Sequence, residues 1–309
     1  MLRIQDLSKF FDDFAAVDRI SFDVAAGDIL GFLGPNGAGK STTMKMICGY
    51  LKPTSGRVNI YDHDIDSDPI AAKRLVGYLP EGAPTYADMT VKDFLSFITE
   101  VRQLSKEQTR NGMDYVIAEL ALEEVLRQPI ETLSKGFKRR VGLAQALIHD
   151  PKVLIMDEPT DGLDPNQKYH VRALINSLSK SKIVVISTHI LEEVSAVCNR
   201  ALIIAKGKLL IDTTPDKLLT RSRYQNTLSL YAKDEELLTD IKDIPGVKSL
   251  EYDTLSNRWL VFVDKDLKMH IYGQLQSWIS SRTPEVDDLR VEHGRMDDVF
   301  RKITEGSLS

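Results

Sequence analysis

The residues Gly34, Pro35, Asn36, Gly37, Ala38, Gly39, Lys40, Ser41 and Thr42 constrain this chain more than any other stretch. They fit G-x-x-x-x-G-K-[ST], the pattern of a phosphate-binding loop. An apolar run, Asp28-Ile-Leu-Gly-Phe-Leu33, reads as a buried strand before it, and Thr43-Met-Lys-Met-Ile-Cys48 reads as a helix start after it. Glycines lack Cβ atoms, so backbone N–H groups can turn inward and wrap an anion. The following helix points its positive end at the same anion. Lys40 adds a full charge within reach of β- and γ-phosphates, Ser41 offers a hydroxyl to Mg²⁺, and Thr42 can bond phosphate. The ligand implied is a nucleoside triphosphate.

The 309 residues suggest two domains. With 42% hydrophobic and 28% charged residues, the composition is that of a globular protein with a sizeable core. A formal net charge of −5 argues against nucleic acid as the main partner. Cys48 and Cys198 stand far apart without metal-type spacing and read as buried, reduced thiols. The start Met1-Leu-Arg-Ile-Gln-Asp lacks an apolar signal core, and no apolar run approaches the roughly 18 residues that cross a bilayer. Membrane association is therefore expected through a partner.

Leu2–Leu7 and Ile20–Val24 alternate apolar and polar side chains and read as short strands. Between them Lys9-Phe10-Phe11-Asp12-Asp13 reads as a loop, whose aromatic residues could pack or stack on a base. Arg57–Tyr61 and Leu75–Leu79 read as further strands, and Ala71–Arg74 as helical. From Thr90, a good N-cap, to about Leu126 the pattern is helical, an insertion in an α/β core. Lys152–Met156, Ile183–Ser187 and Arg200–Ile204 are apolar strands alternating with helices over 166–179 and 190–197, and Gly207 turns into Leu209–Ile211. Such alternation predicts a mainly parallel sheet. A boundary falls near Thr213–Tyr224. Beyond it strand, helix, strand, strand, helix, strand predict a small ferredoxin-like domain, followed by a helix from Met296. Tyr231, Tyr252, Trp259, Phe262 and Trp278 there read as core or interface packing.

Asp157 and Glu158 follow a buried strand, at the carboxyl end where α/β folds bind ligands. Asp157 can hold Mg²⁺ through water, and Glu158 can take a proton from an attacking water. His189, just after Thr188 at another strand end, could bond a γ-phosphate oxygen and that water.

Together these residues resemble the ATP-binding subunits of ABC transporters, over about residues 1–215. Gly34–Thr42 resembles the family's Walker A loop, Val153–Glu158 its Walker B strand with a catalytic glutamate, and Leu133-Ser-Lys-Gly-Phe137 its L-S-G-G-Q signature. Asp161-Gly-Leu-Asp164 resembles the D-loop and Ser187-Thr-His189 the switch histidine; Phe11 stands where the family places an aromatic under adenine. Soluble P-loop enzymes of other kinds lack the signature segment. Two departures stand out: Glu81 replaces the usual glutamine as a metal-proximal group, and Lys135 and Phe137 alter the signature while Ser134 and Gly136 remain. Such variants resemble an exporter branch that includes gliding-motility, copper-processing and drug-resistance subunits.

The resemblance implies an α/β fold: a P-loop NTPase core with an antiparallel β subdomain and a helical insertion. Residues 1–215 would form the nucleotide-binding domain, its helical subdomain at about 90–150, and 216–309 an accessory domain, regulatory or dimerising. It also implies ATP and Mg²⁺ as ligands and a head-to-tail homodimer sandwiching ATP between Walker A of one subunit and Ser134, Gly136 and Asp164 of the other. An integral membrane permease would be moved through a groove near Glu81 and residues 90–126. This places the chain peripherally on the cytoplasmic membrane face; nothing in the residues names the transported substrate. A soluble ABC-type ATPase on ribosomes or DNA is disfavoured by the single phosphate loop, the absence of sustained heptads and the net charge. A non-hydrolysing ATP sensor is disfavoured by Glu158 and His189.

Overall fold

The computed structural model describes residues 1–82, 86–233, 235–264, 267–280 and 286–306, without the side chains of 235–237, 286 and 287. The chain divides into two compact units, Met1–Pro215 and Asp216–Gly306.

In the first unit β1 (Leu2–Phe11) and β2 (Phe14–Val24) form a long antiparallel hairpin, β3 is Ile29–Leu33 and α1 Lys40–Ile47. Then come β4 (Ser55–Ile60), β5 (His63–Asp64), α2 (Pro69–Arg74) and β6 (Val76–Leu79). The helices α3 (Val91–Val101), α4 (Lys106–Glu119) and α5 (Lys135–Leu147) make up the insertion. The core resumes with β7 (Val153–Asp157), α6 (Pro165–Ser179), β8 (Ile183–Thr188), α7 (Leu191–Val197), β9 (Arg200–Ala205) and β10 (Lys208–Thr213). One sheet has the order β10-β9-β3-β8-β7-β6, parallel except for β10; the other, β2-β1-β4-β5, is antiparallel. Every residue of β3, β6, β7 and β8 is buried, which is why their sequences run apolar instead of alternating. One core joins both sheets and α1, with Phe22 and Phe32 5.8 Å apart between ring centres.

Three expectations change in this unit. Residues 8–11 and 14–19 are strand, and only Asp12 and Asp13 turn: burial on one side continues through Leu7, Val17 and Ile20, so the hairpin runs to its tip at Phe11 and Phe14. The helix after the phosphate loop starts at Lys40 rather than Thr43, so Lys40, Ser41 and Thr42 form its first turn. The region 90–126 is two helices plus a 3-10 turn at Glu123–Val125, because Ser105 caps a second helix with a capping box.

At the junction lies α8 (Pro215–Leu219). The second unit contains β11 (Leu228–Ala232), a 3-10 helix (Glu235–Asp243), β12 (Val247–Asp253), β13 (Arg258–Val263), α9 (Lys268–Ser280), β14 (Val286–Val291) and α10 (Met296–Glu305). Its strand order β12-β13-β11-β14, antiparallel throughout, is the ferredoxin-like order, with a 3-10 helix in place of the first α-helix. Trp259 and Trp278 pack against its core, whereas Tyr231 and Tyr252 are exposed. Cys48 and Cys198 are free and buried; burial pushes the Cys198 thiol up to about 12. No helix among the described residues is long and apolar enough to cross a membrane.

Candidate functional site

The carboxyl ends of β3, β7 and β8 lie side by side, because β8 pairs in parallel with both neighbours. The segments that leave these ends carry Gly34–Thr42, Asp157–Glu158 and Thr188–His189, so one crevice collects them.

The phosphate loop is held by close backbone packing. A Cβ at Gly34 would lie 2.4 Å from the Ile204 carbonyl, and one at Gly39 2.5 Å from the Ala16 carbonyl. Gly39 also has φ +106°, the left-handed region. Helices α3, α4, α5 and α6 are capped by the side chains of Thr90, Ser105, Ser134 and Asp164. By contrast α1 begins on Gly39, which has no side chain to cap it. Its first-turn N–H groups are left for an external acceptor. Lys40 is 8% exposed, and its Nζ donates to the carbonyls of Gly34 at 2.7 Å and Pro35 at 3.2 Å. Burial lowers its pKa, opposed by the charges of Glu158, Asp157 and Glu81.

Asp157 is buried and accepts from the Ser187 hydroxyl across the β7–β8 register. Glu158 has φ +52°, a left-handed non-glycine residue. That turn aims its carboxylate at β8's end. There Oε1 accepts from the His189 N–H at 3.1 Å and contacts His189 Nδ1 at 2.7 Å, and Oε2 accepts from the Thr188 hydroxyl at 3.3 Å. The structure thus brings together Lys40, Asp157, Glu158 and His189. Glu81 is exposed two residues after β6, at the same end of the sheet.

The other expected residues lie apart from that cluster in their contacts. Ser134 caps α5, accepting from the Phe137 N–H at 3.3 Å. Asp164 caps α6, accepting from the Gln167 N–H at 2.9 Å. A Cβ on Gly136 would meet the Gln167 side chain at 2.4 Å, so the starts of α5 and α6 touch. Phe11 stands at the hairpin tip, 46% exposed, with Lys9 Nζ 5.2 Å from its ring centre.

Two residues escape sequence reasoning. Ser187 is the partner of Asp157; the signal was a polar residue closing an otherwise apolar strand. Arg139 is 5% exposed on α5 and donates to carbonyls of Pro80 (2.8 Å), Gly82 (3.0 Å), Pro159 (3.3 Å), Asp157 and Glu158. In the sequence it is one of three basic residues in a row, with nothing to single it out.

Comparison with known proteins fits this geometry. The family model described as ABC transporter matches residues 17–161. Bacitracin transport ATP-binding protein BcrA of Bacillus licheniformis is 36% identical over 225 residues, 72% of each chain. ABC transporter A family member 1 of Dictyostelium discoideum is 30% identical over 297 residues, 94% of this chain but 34% of that protein. The chain thus spans about a third of the length of that relative. A solved structure titled as the ATP binding subunit of an ABC transporter matches with a TM-score of 0.67 at 28% identity, covering 72% of this chain and 92% of the other. With a BcrA-like sequence over most of its length and the cassette fold around its phosphate loop, the chain belongs to the ABC transporter family of ATP-binding proteins.

Proposed function

We propose that the chain binds and hydrolyses ATP and thereby drives export through a separate membrane-spanning permease, on whose cytoplasmic face it sits. The observation that carries this reading is the buried Lys40 ammonium, which among the described residues has only neutral carbonyls as partners, in one crevice with the Glu158–His189 pair. A buried cation without a counter-ion is unfavourable. The β- and γ-phosphates supply that counter-ion, together with the uncapped N–H groups of α1. Gly34 through Thr42 wrap the phosphates, and Phe11 is assigned to the base.

The donors at this end also fit Mg²⁺, a hard cation that takes one or two protein oxygens and completes its shell with phosphate and water. Ser41, Asp157 and Glu81 offer a hydroxyl and two carboxylates, not a closed cage: among the described residues no group of three or more His, Cys, Asp or Glu side chains could hold a metal alone. When bound, the ion neutralises charge on the phosphates. Glu158 orients the attacking water and takes its proton as the water oxygen bonds to the γ-phosphorus and the bridging bond to ADP breaks. His189 holds Glu158 in place and, once nucleotide is bound, turns to the γ-phosphate. Ser134 and Asp164 are exposed on two helix starts, with Gly136 buried between them against Gln167; the three are assigned to the nucleotide of a second subunit in a head-to-tail dimer.

The permease docking surface, expected near Glu81 and residues 90–126, is assigned to a groove of about 550 Å³ between the core and the helical insertion, which takes in Ile98, Val101, Arg102 and Gln103 but is not lined by Glu81. Exposed Tyr50, Ile70 and Val101 border it, with Lys73, Arg74 and Arg102. An apolar and basic groove of this kind suits a short amphipathic segment carrying an acidic residue.

The test is Glu158→Gln, which keeps shape and removes the base. Turnover should fall about 10²–10⁴-fold while ATP binding survives. Light scattering should show a dimer only with ATP, since a ligand bound to the closed state shifts assembly by mass action. Adding Ser134→Arg, which puts bulk where the γ-phosphate docks, should return the monomer. Near-normal turnover in Glu158→Gln would remove the catalytic role, and an ATP-independent dimer would move the interface elsewhere.

A further inference from the structure

We propose that Arg139 is a positioning residue that fixes the Glu158 carboxylate and joins it mechanically to the helix carrying Ser134. The inference rests on the reading that Glu158 assists hydrolysis.

The strand β7 stops pairing at Asp157, yet the chain stays partly buried beyond it. Carbonyls that leave a ladder there need donors. The guanidinium is a rigid fork of five N–H donors, and here its three nitrogens reach five carbonyls. Three belong to consecutive residues, Asp157, Glu158 and Pro159; the others, Pro80 and Gly82, flank Glu81. One side chain therefore sets the backbone at both carboxylates, Glu158 and Glu81.

The bond to Glu158 falls where the backbone needs it most. A left-handed conformation costs a non-glycine residue free energy and persists only when its surroundings hold it. The N–H of Glu158 is held by the Ser187 carbonyl at 3.0 Å, and its C=O by Arg139. Loss of the second restraint lets the peptide relax, which swings the carboxylate away from His189. Arg139 also lies on α5, the helix that Ser134 caps. Movement of that helix reaches the subunit's own Glu158 through this guanidinium, which links the surface facing a partner's nucleotide to catalysis at the other site.

The experiment is a mutant cycle on the full chain, with Arg139→Gln and Arg139→Lys each made with and without Glu158→Gln. Single-turnover hydrolysis and ATP affinity in the absence of magnesium are measured for all. Either Arg139 variant alone should lower hydrolysis about 10²-fold, the size of effect that misplacing a reacting group produces. ATP affinity should stay within about threefold, because only an interaction of the transition state is lost. In the Glu158→Gln background the same changes should cost less than about twofold, since the group being positioned is already gone. Equal losses in both backgrounds would show a structural staple only and overturn the proposal, as would wild-type hydrolysis in Arg139→Lys. Should Arg139→Gln fail to fold, Arg139→Lys, which keeps the charge, carries the test. Undiminished hydrolysis in Glu158→Gln alone would remove the underlying reading, and the proposal with it.

Discussion

Two lysines are buried to the same degree at opposite ends of one sheet, and they are treated differently. Lys40 and Lys182 are each 8% exposed. Lys182 stands just before β8, at the amino ends of the parallel strands. Its Nζ is paired with the Asp150 carboxylate and donates to the Pro151 carbonyl at 2.8 Å. Lys40 stands at the carboxyl ends and bonds only the two neutral carbonyls of its own loop, with no carboxylate within 4.0 Å among the described residues. The same pattern extends to their neighbours. At the amino ends, Asn199 bridges the Ile29 N–H and the Gly27 carbonyl, and Arg200 pairs with Asp212 and Asp28. At the carboxyl ends, a helix start has no cap and a glutamate sits in a left-handed turn. One end closes its charges within the chain; the other leaves them open for a ligand.

The largest effect expected from breaking this contrast is at Lys40. Lys40→Ala should reduce ATP turnover to background, because the β/γ counter-charge is gone. Its melting temperature should not fall, since the variant also removes a buried charge held only by neutral partners. Steady-state turnover and thermal melts on the purified protein measure both. Near-normal turnover would end the assignment of the phosphate loop, and a large drop in melting temperature would make Lys40 a structural residue like Lys182.

Glu81 sharpens the comparison next. It is one of three acids whose charge acts on Lys40. Replacing it with alanine should lower turnover about tenfold, the lower range for groups that support a metal or its ligands. Glu81→Gln keeps an oxygen donor and should be tolerated. Equal losses in both would show that charge, not the oxygen, is what matters there; no change in either would make it a surface acid.

Much of this was legible in the sequence because the open end is written in contiguous residues. A nine-residue loop, an acid pair after four apolar residues and a histidine after another buried strand announce themselves without tertiary information. The ferredoxin-like order was readable for a similar reason: alternating periodicities succeed one another along 227–291. What could not be read are partners that meet only through register or across elements. Ser187 finds Asp157 because β7 and β8 align them. Arg139 finds five carbonyls from two separate chain segments. The hairpin through residues 8–19 was hidden by its bulges, which shift register between Ile4 and Phe10 and interrupt the alternation.

At the closed end, Lys182→Met should leave turnover per folded molecule unchanged and lower stability by about 1–3 kcal/mol, the cost of leaving a buried acceptor unpaired. The loss is set by the Pro151 carbonyl more than by Asp150, whose side chain is 82% exposed and returns to water. Urea denaturation measures it. Unchanged stability together with lost turnover would show that this end, too, serves the reaction.

The smallest effect should appear at His149, also at the closed end. Its Nε2–H donates to the Val76 carbonyl at 3.0 Å, while Nδ1 is buried without a partner among the described residues. Protonation would add a donor at Nδ1 with nothing to receive it. Burial, aided by the Arg102 charge, brings the imidazole pKa down to about 4. The sign follows from proton counting. Between the unfolded value of 6.5 and about 4 the unfolded chain binds a proton that the folded chain refuses. Stability is therefore unaffected above that window, declines as pH falls through it, and levels off below it. Between pH values of about 7.5 and about 5.5 the decline from this residue amounts to about 1 kcal/mol. His149→Gln keeps an N–H for the Val76 carbonyl and does not titrate, so denaturation curves at the two pH values should lie closer together for the variant than for the wild type. An identical separation in both would mean that His149 is protonated as easily in the folded protein as in the unfolded one.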